Sequence, residues 1–373
     1  MGQNANTTKI SQGGVSIWLD DLSRDRLNSG SLEELIASKN VVGVTTNPAI
    51  FQKAIQGKGA YDAQIAELVA ANPSISVEEV ITELTTTDVR RATDIFRPVY
   101  ESTDYVDGRV SIEVDPRLAH DGANTAKQAE ELWEKLDRPN GMIKIPATLE
   151  SIPAITETLA KGISVNVTLI FSKERYLKVI DAYIAGIEQA HKNGHDLTKI
   201  ASVASFFVSR VDTAIDKQLD EIGTESALAL RGKSALANAY VAYAAYEEAF
   251  ANDARWAALE AAGAKKQRPL WASTGVKNPD YSQTLYVDEL VGPNVVNTMP
   301  EATLNAVADA SVGGSDTLSG KGSEAEAVLN QIEALGISIS DVLDKLEADG
   351  VAAFINSWTE LIADVESNVN SKK

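Results

Sequence analysis

Residues 141–148 read Gly141-Met142-Ile143-Lys144-Ile145-Pro146-Ala147-Thr148, a short apolar run that contains one lysine and is closed by a proline. Lysine is strongly hydrated and rarely lies inside a short apolar strand without a partner or a chemical task. Similar apolar runs elsewhere in the chain also end in one polar residue: Asp20, Asn47, Glu113, Asn166 and Ser205. A lysine among acids and amides at several strand ends indicates an amine that carries out covalent carbonyl chemistry.

The chain alternates short β-branched runs with longer amphipathic segments, a pattern typical of βα units. The predicted strands cover residues 15–20, 41–46, 109–114, 142–145, 163–168, 199–207, 269–273 and 295–298. Pro48 and Pro116 follow the second and third of these runs, where a proline ends strand pairing. Eight strands separated by helices predict one (β/α)8 TIM barrel domain over residues 15–373.

The spacing of the strand-end residues agrees with this barrel. Four intervals are close to one βα unit, at 27, 31, 22 and 39 residues: Asp20–Asn47, Glu113–Lys144, Lys144–Asn166 and Asn166–Ser205. The intervals Asn47–Glu113 and Ser205–Ser273 are 66 and 68 residues, so extra helices are expected after strands 2 and 6. The tail over residues 323–369 reads as a C-terminal extension of three helices.

A doubly wound open sheet is the alternative architecture. Such a sheet usually carries a glycine-rich phosphate turn after its first strand. That position here reads Asp20-Asp21-Leu22-Ser23, which favours the barrel.

Composition limits the classes of partner. The 373 residues are 44% hydrophobic and 23% charged, as in ordinary globular proteins, and no run of 18 uncharged apolar residues predicts a membrane span. The net charge of −19 disfavours nucleic-acid and anionic-membrane partners, since both need a basic face, but it leaves room for a small anionic substrate.

The chain has no cysteine, which excludes disulfides, thiolate metal sites and cysteine nucleophiles and agrees with a cytoplasmic location. Its histidines, His120, His191 and His195, lie in unrelated polar contexts, so no metal site is expected. Residues 1–14 are polar and predict a disordered N-terminal lead-in.

The residue types at the strand ends suit Schiff-base chemistry. A neutral amine attacks a ketone and forms an iminium, an electron sink that lets the neighbouring carbon–carbon bond break or form. Asp20 and Glu113 could then transfer protons, and Asn47 and Asn166 could hold sugar hydroxyls. The alternatives are a structural ion pair of Lys144 with either acid, and turn or cap roles for the asparagines.

Cations late in the chain suggest a phosphate pocket. Arg210 lies just past the sixth strand and Lys277 just past the seventh, where barrels often bind phosphate with their βα loops. Surface arginines and lysines are common, so this expectation depends on the barrel itself.

These residues resemble the transaldolase family, the dihydroxyacetone-transferring enzymes of the pentose phosphate pathway. The resemblance runs from about Val15 to the C-terminal helices and rests on six ordered blocks: 19–20, 45–48, 110–115, 143–148, 166–172 and 205–210. The long inserts and residues 271–277 resemble the longer bacterial and plant-like branch of that family. Thr45-Thr46-Asn47-Pro48 alone would be weak, but six such blocks in order are specific.

The resemblance implies a barrel enzyme that acts on sugar phosphates without metal or other cofactor. Lys144 would form the Schiff base, Asp20 would be the general acid/base, and Glu113 with Thr168 would hold the catalytic water. The implied substrate-binding residues are Asn47, Asn166, Ser205, Phe207, Arg210, Ser273 and Lys277. Among them, Asn47 and Asn166 match the positions that hold the three-carbon unit, and Ser205, Arg210, Ser273 and Lys277 match the phosphate site. Sedoheptulose 7-phosphate or fructose 6-phosphate would be the donor, with glyceraldehyde 3-phosphate or erythrose 4-phosphate as acceptor. A monomer and a homodimer both remain open.

Two departures and one rival bear on these assignments. Many relatives read Lys-Leu-Ala-Ser-Thr at the lysine, and shorter ones have an arginine where the nearest cation here is Lys277. The rival is fructose 6-phosphate aldolase, which releases free dihydroxyacetone and carries glutamine and tyrosine where this chain has Glu113 and Phe207. A phenyl ring cannot hold and activate water, so the sequence favours transfer. A non-enzymatic barrel scaffold would require the lysine and acid set to be coincidental.

Overall fold

The centre of the fold is a closed barrel of eight parallel strands. The computed structural model of this chain describes residues 2–56 and 59–372. Each strand pairs with the next one along the chain, and the last pairs with the first. The strands are β1 (Val15–Leu19), β2 (Val41–Val44), β3 (Arg109–Glu113), β4 (Gly141–Pro146), β5 (Val165–Ile170), β6 (Ser202–Phe207), β7 (Arg268–Ala272) and β8 (Val295–Met299). The (β/α)8 barrel predicted from the sequence is therefore confirmed.

Helices flank this barrel and fill the long intervals of the sequence. Those that precede β6 are α1 (Ala5–Gln12), α2 (Arg24–Ser29), α3 (Ser31–Lys39), α4 (Pro48–Ile55), α5 (Asp62–Ala71), α6 (Val77–Ile95), α7 (Arg97–Ser102), α8 (Gly122–Leu136), α9 (Ile152–Ala160) and α10 (Lys173–Lys192). Those that follow β6 are α11 (Ser209–Ile222), α12 (Glu225–Leu228), α13 (Ser234–Asn252), α14 (Ala254–Ala261), α15 (Leu285–Asp288), α16 (Glu301–Asp309), α17 (Gly322–Ala334) and α18 (Ile339–Asn370). Short 3-10 turns lie at Gly59–Tyr61, Pro116–Leu118 and Leu197–Lys199.

The extra helices lie where the sequence spacing predicts them. Helices α4 to α7 follow β2, and α11 to α14 follow β6. Apolar side chains of the strands and of the surrounding helices form one main core, which includes Trp18, Trp256 and Trp271. In the part of the chain that the structure describes, no helix combines the length and apolarity needed to cross a bilayer.

The N-terminal segment differs from the disordered lead-in predicted over residues 1–14, because helix α1 forms there. The Asn4 side chain caps α1 by accepting hydrogen bonds from the backbone N–H groups of Asn6 and Thr7, at 2.9 and 3.1 Å. Asn4 Nδ2 also donates to the Ala308 carbonyl at 3.0 Å, and Ile10 is fully buried. The prediction of disorder from the polar composition was therefore wrong, because this segment forms a capped helix that buries Thr7 and Ile10.

The C-terminal tail also differs from the prediction of three helices, because it forms two, α17 and α18. Gly350, which reads as a helix breaker, lies inside the 32-residue α18. A Cβ at Gly350 would lie 2.9 Å from Leu169 Cδ2, so glycine lets α18 approach the end of β5 closely. Helix α18 is also tied to α10 by an ion pair between Arg175 Nη1 and Glu347 Oε1 at 2.9 Å.

A buried polar network closes the amino end of the barrel. The Asp107 carboxylate accepts hydrogen bonds from Ser16 Oγ at 2.6 Å, Trp18 Nε1 at 3.1 Å and Arg268 Nη2 at 2.9 Å. Ser16 and Arg268 lie at the starts of β1 and β7, and Asp107 lies just before β3. These contacts hold the amino end of the barrel together, whereas barrels of this kind carry their active sites at the opposite, carboxyl end of the strands.

We expect Asp107→Ala to destabilise the fold by about 3–5 kcal/mol, because it would leave the guanidinium of Arg268 buried without its carboxylate. Urea unfolding monitored by circular dichroism would measure the loss. The matched control is Asp94→Ala, which breaks an exposed pair with Arg138 and should cost less than about 1 kcal/mol. Equal losses for the two variants would contradict the prediction.

Candidate active site

A cavity of about 200 Å³ opens at the carboxyl ends of the strands. It is lined by Asp20, Thr45, Asn47, Lys144, Thr168, Ser205, Phe207, Arg210, Ala272, Ser273, Gly275, Lys277, Thr298, Pro300 and Phe354. Nine of the eleven residues singled out from the sequence are in this set. The other two, Glu113 and Asn166, lie directly behind it and bond to residues that line it.

Lys144 is placed by the register of three neighbouring strands. Glu113 on β3 and Asn166 on β5 are its partners on either side of β4. Lys144 Nζ donates to Glu113 Oε2 at 3.1 Å and to the Thr46 carbonyl at 3.0 Å, and the side chain is almost fully buried. The Phe354 ring centroid lies 5.4 Å from the same nitrogen. The amine therefore lies between one carboxylate and one aromatic ring.

The environment of Glu113 suits proton exchange with this amine. Burial raises the pKa of Glu113 to about 7, although the nearby Lys144 ammonium opposes the shift. A proton passed from Lys144 to Glu113 converts a buried ion pair into a neutral amine and a neutral acid, which a low-dielectric site tolerates well. The ion pair considered from the sequence is thus present, and Lys144 additionally faces an open cavity.

Asp20 follows β1 and is held by a hydroxyl. Thr45 Oγ1 donates to Asp20 Oδ1 at 2.7 Å and also lies 2.6 Å from Thr298 Oγ1. Burial raises the pKa of Asp20, while Lys144, the Thr45 hydrogen bond and Arg210 oppose that shift. A carboxyl group with a raised pKa can give up a proton as well as accept one in the course of a reaction.

The two asparagines are held differently. Asn47 caps helix α4, with its side chain accepting from the Ile50 N–H at 3.0 Å, so its cap role is real and its position at the cavity wall is additional. Asn166 is fully buried, donates to Ser111 Oγ at 3.2 Å and accepts from Ser205 Oγ at 2.7 Å. Ser205 is therefore buried in the barrel, hydrogen-bonded to Asn166.

A bulge in β5 shapes the wall beside Lys144. The pairing of β5 with β6 shifts between Val167 and Ile170, and Leu169 has a φ of 60°. A left-handed backbone at a buried leucine is strained and is often found at functional sites. Thr168, on this bulge, has a buried hydroxyl without a hydrogen-bond partner among the described residues. That hydroxyl is available to a molecule in the cavity.

Both cations that follow the sixth and seventh strands line the cavity. Arg210 is half-buried, with its guanidinium carbon 5.0 Å from the Phe207 ring centroid, and Lys277 is exposed. Ser273, with a φ of 56°, begins the loop that carries Lys277, and its Oγ is 2.9 Å from the Oγ of Ser209, the residue before Arg210. Within residues 2–56 and 59–372, neither cation has a carboxylate oxygen within 4.0 Å. Two cations without acidic partners at a cavity suit an anionic group.

Sequence reasoning missed Thr45, Ala272, Gly275, Thr298, Pro300 and Phe354. Thr298 follows the same strand-end pattern that identified the other polar residues, so that signal was present. Phe354 is on α18, far along the chain, and no local pattern marks it. As for metals, the described stretches of the chain bring no three His, Asp or Glu side chains together in a way that could hold an ion.

Comparisons with a family profile and with known proteins both show similarity to transaldolases. The profile of the family described as Transaldolase/Fructose-6-phosphate aldolase matches residues 17–365. A protein named Transaldolase from Mycolicibacterium paratuberculosis is 60% identical over 369 residues, which cover 99% of this chain and 98% of the relative. Proteins of the same name from Thermobifida fusca and Saccharopolyspora erythraea are 60% and 58% identical, over 95% and 100% of both chains.

Proposed function

Because the chain belongs to the transaldolase/fructose-6-phosphate aldolase family and is a transferase, we propose that it transfers a dihydroxyacetone unit between sugar phosphates through a Schiff base on Lys144. The donor would be sedoheptulose 7-phosphate or fructose 6-phosphate, and the acceptor glyceraldehyde 3-phosphate or erythrose 4-phosphate. This reaction belongs to the non-oxidative pentose phosphate pathway, in the cytoplasm. The observation that carries the proposal is the buried Lys144–Glu113 pair at a cavity shared with Asp20.

The first step is attack of the neutral Lys144 amine on the donor ketone. Proton transfer from Lys144 to Glu113 supplies that amine, and the 3.1 Å contact supports it. The resulting carbinolamine loses water and becomes an iminium. Glu113 and Thr168 would bind this water. Glu113 contacts the amine, and the Thr168 hydroxyl has no hydrogen-bond partner among the residues that the structure describes. The iminium supplies the electron sink, so the mechanism uses no metal or organic cofactor.

Asp20 would then act on the hydroxyl of the carbon that is released. It takes the hydroxyl proton, the bond between the third and fourth donor carbons breaks, and its electrons move to the iminium to give an enamine. The aldose phosphate leaves, and the acceptor aldehyde enters. The enamine attacks that aldehyde, Asp20 returns the proton to the new hydroxyl, and water releases the product from Lys144.

The remaining polar residues would orient the sugar. We assign the hydroxyls of the three-carbon unit to Asn47 and Asn166, with Ser205 fixing the Asn166 amide through the 2.7 Å hydrogen bond. The resemblance implies Ser205 for the phosphate as well, but the Ser205 hydroxyl donates to Asn166, so we assign the phosphate to Arg210, Ser273 and Lys277. Charge–charge attraction to a phosphate dianion and hydrogen bonds from these groups would fix the distal end of the substrate.

Transfer is preferred to release because apolar rings enclose the covalent intermediate. Phe207 packs against Phe171, with 5.1 Å between the ring centroids, and Phe354 faces the Lys144 nitrogen. The two rings that line the cavity, those of Phe207 and Phe354, cannot hold a water molecule by hydrogen bonding. The enamine is therefore expected to react with an aldehyde acceptor more readily than it is hydrolysed from Lys144.

We expect Lys277→Ala to weaken binding of phosphorylated donors by about tenfold, while dihydroxyacetone itself binds nearly as before, because Lys277 would contact only the phosphate. The KM for fructose 6-phosphate and for dihydroxyacetone would be compared under identical conditions. The control is Lys217→Ala, because Lys217 is a nearby surface lysine that does not line this cavity. An equal loss for both substrates would refute the assignment of Lys277.

The proposed function is tested by borohydride reduction in the presence of fructose 6-phosphate, followed by peptide mapping by mass. A reduced three-carbon adduct on Lys144 is expected. An adduct on another lysine, or none, would overturn the proposal. A coupled assay for glyceraldehyde 3-phosphate then separates the two family reactions: a transaldolase needs erythrose 4-phosphate for continued turnover, whereas an aldolase turns over without it.

A further inference from the structure

Asp20 is joined to two threonine hydroxyls that come from the strands on either side of β1. We propose that Thr298 and Thr45 form a reversible hydroxyl relay that keeps Asp20 hydrogen-bonded in both of its protonation states. Thr298 is in this scheme a positioning residue that acts through Thr45. The inference rests on the proposed function, because it concerns how Asp20 alternates between base and acid.

The relay is set by the order of the strands in the barrel. Strand β1 lies between β8 and β2, so Thr298, Asp20 and Thr45 occupy neighbouring strand ends. The backbone N–H of Asp20 donates to the Met299 carbonyl at 2.9 Å, and that of Thr45 donates to the Leu19 carbonyl at 2.9 Å. Both threonines are almost fully buried. Their hydroxyls therefore have few partners other than each other and Asp20.

The direction of the hydrogen bonds follows from the number of protons. An ionised Asp20 can only accept, so Thr45 Oγ1 must donate its single proton across the 2.7 Å contact. The second contact, 2.6 Å to Thr298 Oγ1, then has only one arrangement left: Thr298 donates to Thr45. A donor behind Thr45 polarises its O–H bond and strengthens its bond to the carboxylate.

The same chain can run in reverse once Asp20 has taken up a proton. Protonated Asp20 donates to Thr45, and Thr45 turns its proton toward Thr298, which accepts. No proton leaves its own oxygen in this change, because only the two hydroxyl rotors turn. Thr298 lines the cavity, so its own proton then has room to turn into it. Asp20 thus keeps a partner before and after each proton transfer.

Charged groups around Asp20 set the rest of its electrostatic environment. Lys144 on β4 and Arg210 on α11 favour its ionised form, and Asp21 in the same loop disfavours it. Glu113 on β3 is also close enough to interact with it. A threonine-to-valine change alters none of these charges and nearly preserves volume, so a changed titration of Asp20 would report the hydroxyls.

The experiment compares Thr298→Val, Thr298→Ser, Thr45→Val and the double valine variant. The titration of Asp20 would be followed by carbon-13 NMR of labelled aspartate, with Asp20→Asn to identify the signal. The pH dependence of kcat/KM for transfer would be measured in parallel. Thr158→Val is the control, because its buried hydroxyl donates within its own helix, to the Ala154 carbonyl. Thermal unfolding would confirm that each variant is folded.

Thr45→Val should raise the apparent titration midpoint of Asp20 by about one pH unit, because it removes a charge-assisted hydrogen bond. Thr298→Val should raise it by a few tenths of a unit, and Thr298→Ser should restore the original value. In the Thr45→Val background, Thr298→Val should not shift the titration midpoint of Asp20 any further, because Thr298 reaches Asp20 only through the Thr45 hydroxyl.

An unchanged midpoint in Thr298→Val, or a full additive shift in the double variant, would overturn the relay. Failure of the proposed function is recognised separately, as a wild-type protein that folds and shows the Asp20 titration but has no transfer activity. The NMR titration tests the relay in either case.

Discussion

Replacing Lys144 with methionine is expected to lower transfer activity by about 10⁴-fold or more, since the covalent route disappears with the amine. This corresponds to about 5.5 kcal/mol of lost transition-state stabilisation. Borohydride treatment with fructose 6-phosphate should leave the variant unmodified at residue 144. Mass spectrometry and the coupled assay would measure both effects.

The fold should survive this change. Methionine fills a similar volume, and the raised pKa of Glu113 lets that buried carboxyl take up a proton when its cationic partner is removed. Lys161→Met, at a surface lysine paired with Glu130, is the matched control and should retain activity and adduct. Substantial activity in Lys144→Met, or an adduct elsewhere, would mean that another residue is the nucleophile.

Replacing Asp20 with asparagine is expected to slow transfer by about 10²–10⁴-fold, because a general acid/base is removed while the amine remains. The Schiff base should still form, but the bond between the third and fourth carbons should not break at an appreciable rate. Borohydride would therefore trap the whole six-carbon donor on Lys144. The wild type would instead give the three-carbon adduct.

The mass of the adduct separates this role from a role in binding. If Asp20 only helped to bind the donor, Asp20→Asn would give less adduct, and that adduct would carry three carbons. Asp25→Asn, an exposed residue in the first turn of α2, is the control and should behave like the wild type. A three-carbon adduct formed by Asp20→Asn at the wild-type rate would contradict the assignment.

The barrel and most of the site could be predicted because they depend on local signals. Strand periodicity, closing prolines and one polar residue per strand end locate Asp20, Glu113 and Lys144, and parallel pairing brings strand ends together. The spacing alone could not show that Ser205 bonds to Asn166 or that Thr298 reaches Thr45. Those contacts depend on the stagger of the strands, which the sequence does not display directly.

The features that were missed depend on contacts between distant parts of the chain. Helix α1 is stabilised by Asn4 and by docking near Ala308, which no composition count detects. The uninterrupted α18 depends on the fit of Gly350 against Leu169, and glycine in isolation predicts a break. Phe354 enters the cavity for the same reason, because only the path of α18 brings it there.

The position of α18 has a consequence for how the enzyme matures. The barrel closes when β8 pairs with β1, and the cavity gains Phe354 only when α18 has settled across the strand ends. Both events join parts of the chain that lie far apart in sequence, and such contacts form late and slowly in folding. A nascent chain still held at the ribosome would therefore carry Lys144 and Asp20 without an enclosed site. Reactivity toward sugars would be acquired last, after synthesis of the helix that shields it.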